Sequence, residues 1–233
     1  MTWSIVARDA SGAFGVAIAT RFFAVGALCP HGESGIGALS TQALVNPLYG
    51  KQALDLLRAG VPAPEVVKRL TAPDEGRDHR QLHVIDASGR VGQYTGAKCV
   101  DWCGAVAGEG FSVAGNMLSN ERVVAETARA YEKTKKPFAE RLIAALEAGE
   151  AAGGDKRGKQ SAALLVFSTE SYADLNLRVD DHAEPLAELR RLYDKAHERF
   201  VPYLKCSPSK ARPWGIWDRT LIEQEIAGHK KPS

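Results

Sequence analysis

The sequence predicts an α+β fold in which antiparallel sheets carry segregated helices. Three observations point there. Apolar runs bounded by turn residues begin almost at the first residue, consecutive runs are joined as hairpins rather than through helices, and helical periodicity is confined to a few separate stretches. At 233 residues the chain suffices for one domain with a sizeable core, or one domain with an appendage.

Residues 3–7 (Trp-Ser-Ile-Val-Ala) read as a first strand, Asp9-Ala10-Ser11-Gly12 as a turn, and residues 15–20 (Gly-Val-Ala-Ile-Ala-Thr) as the returning strand. A third strand is expected over 35–41, where Gly35, Gly37, Ala38 and Ser40 suit close backbone packing. Helical spacing follows over 48–57 and 64–70, interrupted by Gly60 and Pro62. Strands are expected over 80–85 and 91–95, and two short ones around Ala105 and Ser112. Gly115-Asn116 then precedes a helix over 119–133, with Asn116 or Ser119 as its cap. A third helical region spans 137–149, Pro137 near its start and Gly149 near its end. The glycine-rich loop 153–158 leads into strands over 162–167 and 175–179, and a charged helix over 184–199 closes the core. Two antiparallel sheets with helices on their outer faces satisfy this order. Beyond Val201 the chain changes character: Pro202, Pro208 and Pro213 punctuate it, and Trp214 and Trp217 precede a short helix over 218–226. We expect a domain over 1–200 and an extension over 201–233 that packs on the domain or on a partner subunit.

Composition narrows the function. The chain is 45% hydrophobic and 25% charged, and Lys+Arg 30 against Asp+Glu 28 leaves a net charge of +2. So even a balance provides no field for nucleic acid or an anionic membrane. The start lacks the features of a secretory signal, and no run reaches the ~18 apolar residues of a membrane span, so a cytoplasmic protein is expected. Cys29, Cys99, Cys103 and Cys206 include one close pair where structural zinc needs two, and the six histidines are scattered. Asp180-Asp181-His182 reads better as a strand end than as a ligand set. No metal and no cofactor are expected. Gly158-Lys159 lacks the spacing of a phosphate loop, and no Gly-x-Ser-x-Gly elbow occurs.

The run Trp3-Ser4-Ile5-Val6-Ala7-Arg8-Asp9 resembles the start of a bacterial domain-of-unknown-function family, number 1028, assigned to the N-terminal nucleophile hydrolase superfamily. Residues 15–20, Phe23-Ala24-Val25-Gly26, Ser40-Thr41-Gln42-Ala43, Val113-Ala114-Gly115-Asn116-Met117-Leu118 and the stretch 153–163 carry the same resemblance, which extends from Thr2 to about Leu192. It implies a four-layer αββα sandwich like that of proteasome subunits, with the nucleophile as first residue of the mature chain. That residue is Thr2, once Met1 is removed.

Such a site obtains nucleophile and base from one residue: the Thr2 hydroxyl attacks an amide carbonyl and the freed α-amine, with an ordinary pKa of ~7.7–8.0, takes the proton. Against this stands the reading of Thr2 as a β-branched strand residue. By the same resemblance, Arg21 supports the amine or clamps a carboxylate, Gly115 and Asn116 donate to the oxyanion, and Asp155 and Ser161 orient the amine, beside Lys156. Gln42 is expected to line the pocket. The expected activity is metal-independent hydrolysis of a C–N bond in a small amide-like substrate. The rival is an inactive protein of the same fold that binds a ligand or assembles, and a dimer or larger homo-oligomer is expected in either case.

Overall fold

The computed structural model describes residues 2–229; Met1 and the Lys230-Lys231 pair lie outside them. Strands β1 (Thr2–Arg8) and β2 (Phe14–Thr20) form the expected hairpin, and the Asp9 carboxylate closes its turn by accepting from the amides of Ser11 and Ala13. The next elements are β3 (Pro30–Glu33), β4 (Gly37–Ala43), α1 (Leu48–Arg58), α2 (Ala63–Thr71), β5 (Arg80–Asp86) and β6 (Val91–Thr95). Then come β7 (Trp102–Gly108), β8 (Phe111–Leu118), α3 (Arg122–Lys133), α4 (Phe138–Ala151), β9 (Ser161–Phe167) and β10 (Leu175–Val179). Helices α5 (Pro185–Glu198), α6 (Phe200–Leu204) and α7 (Arg219–Gly228) complete the order.

All pairings are antiparallel. One sheet has six strands in the order β10-β9-β2-β1-β8-β7, the other four in the order β3-β4-β5-β6. Helices α3, α4 and α5 cover the outer face of the larger sheet, and α1 with α2 covers the smaller. The architecture is therefore a four-layer αββα sandwich, and it explains why the central strands read as unbroken apolar runs. In β1, Trp3, Ile5 and Ala7 enter the core under the helices, while Thr2, Ser4 and Val6 face the other sheet. Period-2 alternation persists in the geometry, but both faces are buried, so polarity hardly alternates.

One expectation is corrected, and one strand is missed by sequence reading. Asn116 lies inside β8, directly opposite Thr2, and α3 is entered from Glu121, with Asn120 Oδ1 accepting from the Arg122 amide at 2.9 Å, so neither Asn116 nor Ser119 caps it. Strand β3 escapes sequence reading because an edge strand made of Pro30, His31, Gly32 and Glu33 has neither apolar run nor alternation. The short helix α6 spans residue 200, and residues beyond it are hydrogen-bonded to the body. Tyr172 donates to the Pro208 carbonyl at 2.8 Å, and Lys210 Nζ to that of Thr169.

The layer between the sheets is not purely apolar. Ser4, Ser40, Gln42, Gln81, His83 and Ser112 are all fully buried there and bonded to one another across the interface. Ser4 donates its single hydroxyl proton to Gln42 Oε1 at 2.6 Å, so its oxygen accepts from His83 Nε2 at 2.8 Å. His83 Nδ1 then accepts from Ser112, whose oxygen in turn takes Gln93 Nε2. This chain assigns the Nε2–H tautomer, and burial pushes the His83 pKa down to about 3.

Two predictions follow from this packing. A Cβ at Gly149 of α4 would stand 2.3 Å from Thr127 Oγ1 and 2.7 Å from Trp3 Nε1, so Gly149→Ala should cost ~1–3 kcal/mol in urea denaturation. His83 is neutral when folded but titrates near 6.5 when unfolded, so the unfolded chain binds the extra proton and stability falls as pH drops from ~6.5 towards 3. Between pH 6 and 5, His83→Gln should flatten this loss by up to ~1.4 kcal/mol per pH unit; identical slopes would refute the buried neutral imidazole.

Candidate functional site

A cavity of about 460 Å³ opens where β1 begins. Thr2 and Asn116 line it, together with the loop after β2, the segment 43–45, the loop 98–100, Met117 and Arg157. Its volume falls in the range of small-molecule sites. Among the described residues, four that are not glycine adopt a positive φ: Ala24, Ala43, Asp101 and Met117, at 52° to 70°. Ala43 and Met117 line the cavity, and the other two adjoin lining residues Val25 and Val100. Left-handed backbone costs an L-residue about 1–3 kcal/mol and persists where surrounding structure over-determines it. The strained residues therefore stand around the cavity, Ala24 and Asp101 in loops and Ala43 and Met117 at the ends of strands β4 and β8.

Thr2 is 7% exposed and pairs with Thr20 on one side and Asn116 on the other. Its Oγ1 donates to Thr20 Oγ1 at 3.2 Å. The Asn116 side chain is oriented by a chain of amides beneath it. Gln81 Nε2 donates to the Gly115 carbonyl at 2.8 Å and reaches that of Gly104 at 3.2 Å. A carbonyl only accepts, so Gln81 must present Oε1 on its other side, where it receives Gln42 Nε2 and, at 3.0 Å, Asn116 Nδ2. Asn116 Oδ1 is left buried without a hydrogen-bond partner, in a residue that lines the cavity beside Thr2. An orphaned buried acceptor costs about 1–3 kcal/mol and calls for an N–H or O–H donor. The unpaired group of Asn116 is thus an acceptor, where the sequence suggested an oxyanion donor.

The remaining candidates are placed as follows. Asp155, fully buried in its side chain, accepts from the amides of Arg21 at 2.7 Å and Arg157 at 2.8 Å, and so ties the turn after α4 to the end of β2. Ser161 donates to the Phe22 carbonyl and accepts from the Val25 amide, fastening the loop that forms one cavity wall. Both stand behind the wall. The side chain of Arg21 does not enter the cavity; it is exposed and meets Gln160 Oε1. Lys156, also exposed, pairs with Asp101. Gly115 turns its Cα towards the helical layer, where a Cβ would meet Leu118 and Trp3, and its backbone lies within the β1–β8–β7 ladder. Gln42 lies in the amide chain below, not in the lining, since its side chain is drawn to Gln81 and the Ala114 carbonyl.

Sequence reading missed the cations that do line the cavity, Lys98 and Arg157, and its apolar wall, including Phe22, Leu44 and Val100. Arg157 adjoins a residue singled out from the sequence; Lys98 lies in an irregular loop with no pattern to flag it. Two thiols also line the cavity. Burial pushes the Cys29 thiol up to about 12, and burial, then proximity to Cys103, raises that of Cys99, so both are neutral near pH 7 and are poor nucleophiles. No three His, Cys, Asp or Glu side chains among the described residues gather as metal ligands do, and no helix there is long and apolar enough to cross a membrane.

Comparison with known proteins agrees with this architecture. The model of a family of unknown function, DUF1028, matches residues 2–189. A crystal structure of a protein of that family from Silicibacter pomeroyi is similar to this chain at a TM-score of 0.88 and 32% identity, covering 94% of this chain and 96% of that one. Anbu, an ancestral β-subunit from Yersinia bercovieri, aligns over 83% of this chain and 94% of its own at 12% identity and a TM-score of 0.40, a likeness too distant to carry an argument. No curated protein matches the chain. The family match starts at Thr2 and ends before the tail, so it spans both sheets and the cavity: the chain belongs to the DUF1028 family of unknown function.

Proposed function

We propose that this protein is a metal-independent amidohydrolase that cleaves a C–N bond in a small amide-like substrate, with Thr2 as nucleophile after Met1 is removed. The observation that carries the reading is the place of Thr2 at the head of β1, in the cavity lining and opposite Asn116, whose Oδ1 is buried without a hydrogen-bond partner. Thr2 Oγ1 attacks the substrate carbonyl carbon and passes its proton to the Thr2 α-amine. The amine returns that proton to the leaving nitrogen as the C–N bond breaks, leaving an ester on Oγ1. Water, deprotonated by the same amine, then cleaves the ester and regenerates the hydroxyl. Asn116 Oδ1 accepts from an N–H at this centre, a role for which its orientation suits it better than oxyanion donation. Asp155 and Ser161 act through the walls they hold, and the neutral thiols support a hydroxyl nucleophile over a thiolate.

The test is a screen of chromogenic anilides of small carboxylic acids with protein whose intact mass is first shown to be short by one methionine. Turnover is expected to rise through pH ~7.7–8.0 as the amine deprotonates. Thr2→Ala should lower kcat at least ~10³-fold with an unchanged melting temperature. Unaltered turnover in that variant excludes Thr2 as nucleophile, and a retained Met1 favours the binding-module reading.

The tail supports a further part of the proposal, assembly into a dimer or larger homo-oligomer. Trp214 and Trp217 are 72% and 81% exposed, and α7 has no buried residue. Aromatic side chains left so open are characteristic of the anchors of an interface. Light scattering at micromolar concentration is expected to give at least a dimer, and Trp214→Ser with Trp217→Ser to shift it towards monomer; a monomeric parent chain contradicts this.

A further inference from the structure

The cavity lining divides into two chemistries. Phe22, Leu28, Leu44 and Val100 line it and are nonetheless open to solvent, Phe22 and Leu44 by about 60%. Such a concentration of uncovered apolar surface at one mouth is costly in water, and a bound apolar chain that covers it is favoured. The charged side chains that line the cavity, Lys98 and Arg157, are both basic and come from two separate loops; no Asp or Glu lines it among the described residues. Their own carboxylates stand behind them: Asp155 reaches Arg157 Nη2 at 3.3 Å while engaged with two backbone amides, and Asp78 stays 3.9 Å from Lys98. Asn116 belongs to the same lining, and its Oδ1 is a buried acceptor in want of a donor.

We propose that the cavity takes a secondary amide joining an apolar acyl chain to a carboxylate-bearing amine, in chemical class an N-acyl amino acid. The acyl chain covers the apolar mouth, the carboxylate meets Lys98 and Arg157, and the amide N–H donates to Asn116 Oδ1, which brings the carbonyl carbon to Thr2. Cleavage would release a fatty acid and a free amino acid. The inference rests on the amidohydrolase reading for turnover but not for binding. A cationic amine half would meet like charge, and a tertiary amide would leave Oδ1 unpaired, so both are selected against.

The experiment is titration calorimetry on the Thr2→Ala protein with four probes: N-octanoylglycine, N-octanoylsarcosine, N-propyloctanamide and N-acetylglycine. The first is expected to bind at least about tenfold tighter than each of the others, which lack the N–H, the charge or the chain. Lys98→Ala with Arg157→Ala should erase its advantage over N-propyloctanamide while leaving the latter's binding unchanged. Equal binding of the charged and neutral octanoyl amides, equal binding of N-acetylglycine, or no binding at all overturns the proposal. Incubation of N-octanoylglycine with the parent protein separates this from the reading it rests on. Binding without cleavage defeats the nucleophile and keeps the ligand class, whereas cleavage confined to short neutral amides defeats the ligand class and keeps the nucleophile.

Discussion

Everything at the head of β1 depends on one buried constraint: Gln81 cannot turn round. Its amide nitrogen faces backbone carbonyls of Gly104 and Gly115, groups that never donate, so its oxygen faces Gln42 and Asn116. Gln42 is held in turn, with Ser4 and Ser40 donating to its oxygen and the Ala114 carbonyl receiving its nitrogen. The chain is anchored at carbonyls of the larger sheet yet is built from side chains of the smaller, so it sets the register of one sheet on the other as well as the polarity of Asn116. Apolar contacts between sheets tolerate small slides; a run of amides and hydroxyls satisfied in only one arrangement does not.

The cavity's walls are organised on the opposite principle. Around the opening stand the left-handed residues Ala24 and Asp101 in loops and Ala43 and Met117 at the ends of β4 and β8, none of them glycine. These conformations survive because the flanking segments are fastened: Ala24 donates to the Asp180 carbonyl, Leu44 to that of His79 and Met117 to that of Val100. Ser161 and Asp155 add side-chain fastenings from β9 and the turn before it. A rigid polar floor under strained but tethered walls keeps an apolar mouth open where a soft structure would collapse on it.

The division between helical and inter-sheet layers also explains how so small a domain sustains a buried polar seam. The bulk of β1 and β8 is directed to α3, α4 and α5, where Trp3, Ile5, Phe111 and Val113 pack, whereas β2 and β9 send Phe14, Val16, Ile18, Leu165 and Phe167 to the inter-sheet layer. Gly149 lets α4 lie against Trp3 without a Cβ between them. The polar seam shares the inter-sheet layer with the apolar side chains of β2 and β9, and its value is orientation.

Local order was legible in the sequence. The hairpin of β1 and β2, the helices with their proline and glycine boundaries and the sandwich class follow from periodicity, turn chemistry and the family resemblance, because these depend on neighbours along the chain. Thr2 was singled out by its place at the head of the chain, and Asp155 and Ser161 by theirs around a glycine-rich turn. What the tertiary structure alone decided is direction. It placed Asn116 inside a strand opposite Thr2, left its oxygen buried without a partner, sent Gly115 to the helical layer, kept Arg21 and Lys156 on the surface and put Arg157 and Lys98 in the lining instead. A strand alternates its side chains every residue, so one position decides between cavity and core, and only contacts distant in sequence, such as that of Gln81 with residues 104, 115 and 116, set which way a side chain faces.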